Sequence, residues 1–159
     1  MAASGRCARR PVLAILLASK TGANIHVEER CVSREARCSC GELRVLCLGE
    51  PVSVSLCHCT ACQRRTGAPF GLAAFFKREK IEIEGHYADY ARSSDAGYGL
   101  VFHFCPSCGS TVFWEPSRKP DMIAVAVGSF GDSRFPAPAK EVHTECRHAW
   151  VQPLKPESR

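Results

Sequence analysis

Seven of the eleven cysteines fall in three tight clusters: Cys38-Ser39-Cys40-Gly41, Cys57-His58-Cys59-Thr60-Ala61-Cys62 and Cys105-Pro106-Ser107-Cys108-Gly109. C-x-C and C-x-x-C pairs this close suit chelation of one ion better than mutual disulfides. The first and third clusters are two-cysteine knuckles, each followed directly by glycine. Glycine lets the backbone turn tightly there, so that amide N–H groups can aim at the sulfurs and stabilise their charge. Two knuckles make one tetrahedral four-thiolate site, so the spacing predicts a closed structural zinc held by Cys38, Cys40, Cys105 and Cys108.

The middle cluster predicts different chemistry. Cys57, Cys59 and Cys62 lack a fourth cysteine at knuckle spacing, and three protein ligands with a vacant position mark a catalytic or ligand-accepting zinc. Zn²⁺ with three thiolates carries a net charge of about −1. Such a site activates water poorly but can still hold an incoming thiol as a nucleophilic thiolate. The expected visitor is therefore a small thiol. Arg64 and Arg65 follow Cys62 closely. They either offset the excess negative charge and grip a substrate carboxylate or simply face solvent. His58 lies between two ligands, where chain geometry aims it away from the metal, into packing or the surface.

A fourth ligand from Cys47, His103 or Cys146 would instead close this site and make it structural. Cys47 also fits a buried strand face, where cysteine acts as a small hydrophobe. No C-x2-C-x2-C run points to an iron–sulfur cluster. His26-Val27-Glu28 supplies the H-x-E of zinc deaminases, but no P-C-x-x-C follows it. Cys7 and Cys31 are expected to be free thiols.

The elements that must position these clusters are short strands. Glu42 to Leu48 alternates, with Leu43, Val45 and Cys47 on one face. Val52 to Leu56 runs directly into Cys57, and Phe70 to Phe76 is apolar until Lys77-Arg78-Glu79 breaks it. Ile81 and Ile83 alternate with Glu82 and Glu84. Tyr87 to Ala91, Leu100 to Phe104, Thr111 to Trp114 and Met122 to Val127 complete a set of about eight strands. Thr60 to Thr66 suits a turn or two of helix, ended by Gly67. This pattern predicts a mainly β domain of two small sheets pinned by metal, since a small core of non-local pairings gains from such a staple.

The 159 residues suit one domain, read as 31–159 behind a poorly ordered extension over 1–30. A hydrophobic share of 45% and a charged share of 23% are those of a globular protein. No apolar stretch approaches the roughly 18 residues of a membrane span. Of the net charge of +5, +4 lies in residues 1–37, so the body is nearly neutral and suits neither nucleic acid nor membrane. Arg9-Arg10 and the apolar run to Ala18 look like the start of a secretory signal, but the run is short and Lys20 follows at once. Metal thiolates also persist only in reducing surroundings, so a cytoplasmic location is expected.

The order C-x-C-G, C-H-C-x-x-C-Q-R-R-x-G and F-C-x-x-C-G-S, with the later strand Ile123 to Phe130, resembles the glutathione-dependent formaldehyde-activating enzyme (GFA) family. That family also includes centromere protein V. The resemblance covers about Arg37 to Trp150. It implies a zinc-stapled fold of the Mss4-like type with two zinc ions per chain. It assigns Cys38, Cys40, Cys105 and Cys108 to the structural ion and Cys57, Cys59 and Cys62 to the catalytic one. The implied activity is that of a carbon–sulfur lyase, forming or cleaving S-hydroxymethylglutathione from glutathione and formaldehyde. The alternative is a non-catalytic zinc module that binds a protein partner, as the likeness to centromere protein V suggests.

Overall fold

A computed structural model describes residues 32–154. The extension over 1–30, and Cys7 and Cys31 with it, lie outside the described residues. The chain runs β1 (Ser33–Arg37), β2 (Arg44–Leu48), β3 (Ser53–Cys57), α1 (Thr60–Thr66), β4 (Gly71–Lys77) and β5 (Ile81–Glu84). It continues through β6 (Ala88–Ser93), β7 (Gly99–Phe104), β8 (Thr111–Pro116), β9 (Met122–Ala126) and β10 (Lys140–Val142). The fold is thus mainly β, as the strand pattern predicts, with α1 at its expected bounds. Two strands escape the alternation rule. β1 (SREAR) fully buries only Ala36, and β10 is three residues long.

The strands form two sheets, a three-stranded one in the order β1-β2-β5 and a seven-stranded one in the order β10-β3-β4-β9-β8-β7-β6. The described pairings are antiparallel except β10 on β3. Alternation decides which residues meet between the sheets. Ala36, Val45 and Cys47 of the small sheet, with Leu43 just before β2, pack against Val54, Ala74, Phe76, Phe113 and Val125 of the large one. At Cys47 burial pushes the thiol up to about 12, so it remains protonated and serves as a small apolar side chain. Ile81 joins this core, whereas Ile83 lies farther out, because β5 is an edge strand paired only with β2.

The opposite face of the large sheet is also apolar. Ala73, Leu100, Phe102, Trp114 and Ala124 form a second cluster, flanked by Phe75 and Tyr98. The small sheet does not reach this face. An aromatic sheet face that a second sheet does not fill is where a ligand can sit.

Gly85 joins β5 to β6 at φ +94°, and a Cβ built on it would stand 2.0 Å from the Glu42 carbonyl oxygen. That oxygen belongs to the backbone turn behind the first knuckle, so it cannot swing aside. Gly85→Ala is expected to destabilise the fold by at least about 2 kcal/mol, read as a drop in the denaturation midpoint.

Candidate metal centres and active-site cavity

The first and third cysteine clusters sit at the ends of two hairpins, one from each sheet. Cys38 and Cys40 lie between β1 and β2, and Cys105 and Cys108 between β7 and β8. Their four Sγ atoms all lie within 4.8 Å of one another, with Cys38 to Cys40 at 3.4 Å and Cys40 to Cys105 at 3.5 Å. A tetrahedral ion with Zn–S bonds of about 2.3 Å sets sulfurs about 3.8 Å apart, so this donor set fits zinc. Gly41 (φ +82°) and Gly109 (φ +74°) supply the left-handed turns expected of knuckles. The Leu43 amide donates to Cys38 Sγ at 3.2 Å. The hydroxyl and amide of Ser110 pull the Cys108 thiol down to about 5. Ser39 Oγ meets Ser110 Oγ at 2.8 Å, and the Ser107 hydroxyl donates to Glu42 at 2.6 Å, so the hairpins are also laced together around the sulfurs.

Cys57, Cys59 and Cys62 also gather within 4.8 Å, and among the described residues no fourth His, Cys, Asp or Glu joins them. Cys57 ends β3, opposite Gly71 of β4 and Val142 of β10. Cys59 is the N-cap of α1, its sulfur accepting the Cys62 amide at 3.4 Å. Helical geometry then returns Cys62 beside Cys59, and Gly67 (φ 64°) ends the helix. Three thiols in this arrangement fit one zinc while leaving a coordination position for another ligand. Without metal their protons divide unequally. Hydrogen bonding from Cys57, supported by Arg65, draws the Cys62 thiol down to about 5, and Cys57 is pushed up in return.

None of the three alternative fourth ligands joins this group. Cys47 is in the core between the sheets. His103 is held between Asp89 (2.6 Å) and Glu115 (3.2 Å). Cys146 is in a 3-10 turn, its carbonyl accepting from Gln63 at 3.1 Å.

His58 is fully buried, is not among the candidate ligands, and bonds Glu141 of β10 through Nε2 at 2.7 Å. Gln63 bonds the His58 carbonyl at 2.7 Å and the Cys146 carbonyl at 3.1 Å, so His58 and Gln63 both fasten the cysteine loop to the C-terminal segment.

The two arginines part company. Arg64 is exposed. Arg65 turns inward, its charge draws the Cys62 thiol down, and its guanidinium carbon lies over Trp114, 4.6 Å from the ring centroid. Gly71 makes room for this, since a Cβ there would stand 3.1 Å from Arg65 Nη2 and 3.3 Å from Cys62 Cβ.

The three cysteines open onto a cavity of about 280 Å³ against the aromatic face of the large sheet. Phe75, Tyr98, Phe102 and Trp114 supply its apolar surface, and Arg65, Arg92 and Arg118 its positive charge. Asp95 and His143 also line it. His143 is the single non-glycine residue with positive φ among those described, and its Nδ1 lies 3.1 Å from Glu145 Oε1. Arg92, Arg118, Tyr98 and His143 escape sequence reasoning because they carry no local motif. The available signal was apolarity on both faces of β7 and β8, unusual for a sheet with one protein cover.

A family model described as "Glutathione-dependent formaldehyde-activating enzyme" matches residues 33–146. No curated protein matches this chain. A crystal structure of a Rhodobacter sphaeroides protein superposes with a TM-score of 0.52 at 18% identity, covering 67% of this chain and 98% of that one. At that identity the likeness is one of fold alone. The family match runs from β1 to Cys146 and takes in both cysteine sites and the residues that line the cavity. This chain therefore belongs to the glutathione-dependent formaldehyde-activating enzyme family.

Proposed function

We propose that this chain is a zinc-dependent carbon–sulfur lyase that forms or cleaves the adduct of a small thiol and formaldehyde, with S-hydroxymethylglutathione as the model substrate. The observation that carries this reading is a three-cysteine cluster, without a fourth ligand among the described residues, at one end of a cationic, aromatic cavity. Cys38, Cys40, Cys105 and Cys108 would hold a structural zinc, and Cys57, Cys59 and Cys62 a second one. When bound there, zinc would keep the substrate sulfur ionised and nucleophilic near neutral pH.

In the forward direction the sulfur attacks the carbonyl carbon of formaldehyde. One S–C bond forms, the C=O π pair moves onto oxygen, and that oxygen takes up a proton. Cleavage reverses each step, and no oxidant or reductant is needed. Arg65, against Cys62, offsets the negative charge of three thiolates. His143 suits the proton exchange, because a proton held on Nδ1 by Glu145 leaves Nε2 free to accept or return one. The rings of Phe75, Phe102 and Trp114 exclude water and hold the reactants together. The thiolates require a reducing compartment, and the cytoplasm meets that need. Among the described residues, no helix is long and apolar enough to cross a membrane.

The test is metal counting on purified protein, followed by titration with glutathione and then ¹³C-formaldehyde observed by NMR. The expected result is two zinc ions per chain, one of which takes up the thiol, with faster exchange between free and adducted formaldehyde. Two inert ions and no change in exchange would overturn the lyase and favour the protein-binding module.

A further inference from the structure

Three arginines from three separate elements face the cavity: Arg65 of α1, Arg92 of β6, and Arg118 after β8. Elsewhere in the molecule Arg34, Arg78 and Arg147 each hold a carboxylate. Among the described residues none pairs with Arg65, Arg92 or Arg118. Asp95 shares the cavity, yet it too falls outside ion-pair distance of all three. Arg65 and Arg92 are close enough to repel each other. Gathering unpaired like charges beside an apolar sheet face is unfavourable unless an anion visits them.

Each guanidinium lies over a ring. Arg65 stacks on Trp114 at 4.6 Å, Arg92 on Phe102 at 5.6 Å and Arg118 on Tyr98 at 4.5 Å from the centroids. A guanidinium held over a ring can still offer N–H groups, which grip a carboxylate through two parallel bonds. Arg65 lies against the cysteine cluster, where its charge draws the Cys62 thiol down. Arg92 donates one bond to the Ser93 carbonyl, and for Arg118 no side-chain hydrogen bond exists among the described residues. Two cations thus remain for a ligand.

We propose that Arg92 and Arg118 form a carboxylate-binding subsite that selects anionic, peptide-sized thiols over neutral or cationic ones. This rests on the thiol reading above and sharpens it. The sulfur is held at the cysteine cluster, and the far end of the same molecule is read by charge. A neutral thiol such as 2-mercaptoethanol reaches the cluster but gains nothing from the arginines.

The experiment uses the full chain loaded with cobalt, whose thiolate absorption reports sulfur binding. Native protein and the double variant Arg92→Gln/Arg118→Gln are titrated with glutathione, glutathione diethyl ester and 2-mercaptoethanol. Circular dichroism checks that both are folded. The native protein is expected to bind glutathione at least about tenfold more tightly than its diester, and the variant to lose that preference while binding 2-mercaptoethanol unchanged. Equal affinity for glutathione and its diester in the native protein overturns the subsite. So does an equal loss for glutathione and 2-mercaptoethanol in the variant. If no thiol alters the spectrum, the thiol reading has failed instead. Calorimetry with S-methylglutathione, which keeps both carboxylates and has no free thiol, then decides the subsite alone. Binding lost in the variant supports it, and no binding to the native protein overturns it.

Discussion

Replacing Cys62 with serine is expected to take the metal content from two zinc ions per chain to one, abolish turnover of S-hydroxymethylglutathione, and leave the fold intact. Cys62 is half-buried in the first turn of α1 and contributes its sulfur to the open cluster. A serine hydroxyl is a poor replacement, because it stays protonated at neutral pH and zinc thiolate sites depend on ionised ligands. Two ligands, Cys57 and Cys59, would be left, too few to retain the ion. The fold does not depend on that sulfur. The amide of residue 62 still caps onto Cys59, Gly67 still ends the helix, and Gln63 still ties the loop to His58 and Cys146. The loss of stability should therefore stay within the range of an ordinary single substitution, about 1 kcal/mol. Metal analysis, thermal unfolding and the formaldehyde-exchange assay together read the outcome. Full activity in this variant would end the proposed chemistry.

The contrast with the other cluster follows from topology, and it marks what a sequence can and cannot disclose. Cysteine spacing and the glycines after each knuckle were legible because they are local. The same is true of α1, since its sulfur cap and its glycine stop are adjacent to the turn they bound. Leu43, Val45 and Cys47 fell on one face because alternation has a period of two whatever the partner. The short strand β10 has too few residues to display a period. β1 carries charges on three of its five residues, and Arg34 finds Glu50 and Asp132 only after folding. The cavity was hidden for another reason. Arg92 and Arg118 are far apart in sequence, and Tyr98 and Trp114 lie between them. Only the order β8-β7-β6, two successive antiparallel turns, sets these side chains on one face. Binding sites formed across strands have no linear signature, whereas metal knuckles do.

Cys105→Ser should therefore do what Cys62→Ser does not. Cys105 is completely buried between the end of β7 and the turn into β8, and its sulfur lies 3.5 Å from Cys40 on the other sheet's hairpin. Removing it would leave three thiolates to hold an ion meant for four, with a hydroxyl that stays protonated in place of the fourth. The core offers little compensation. The three-stranded sheet is too small to stand alone, and the proposed metal staple with the serine contacts around it would add to the packing of Ala36, Leu43, Val45, Cys47 and Ile81 and to the Arg34–Asp132 ion pair in joining it to the rest of the fold. Structural zinc in small domains accounts for about 10 kcal/mol or more of apparent binding free energy, most of the stability a domain of this size possesses. The expected outcome is loss of both ions, collapse of near-ultraviolet circular dichroism and recovery of the protein mainly as aggregate. A chelator applied to the native protein should reproduce the difference in time: activity disappears first, as the open site empties, and tertiary structure follows later. If the Cys105 variant instead stays folded with native circular dichroism and its open-site metal in place, the four-thiolate cluster is not the staple that holds the two sheets together.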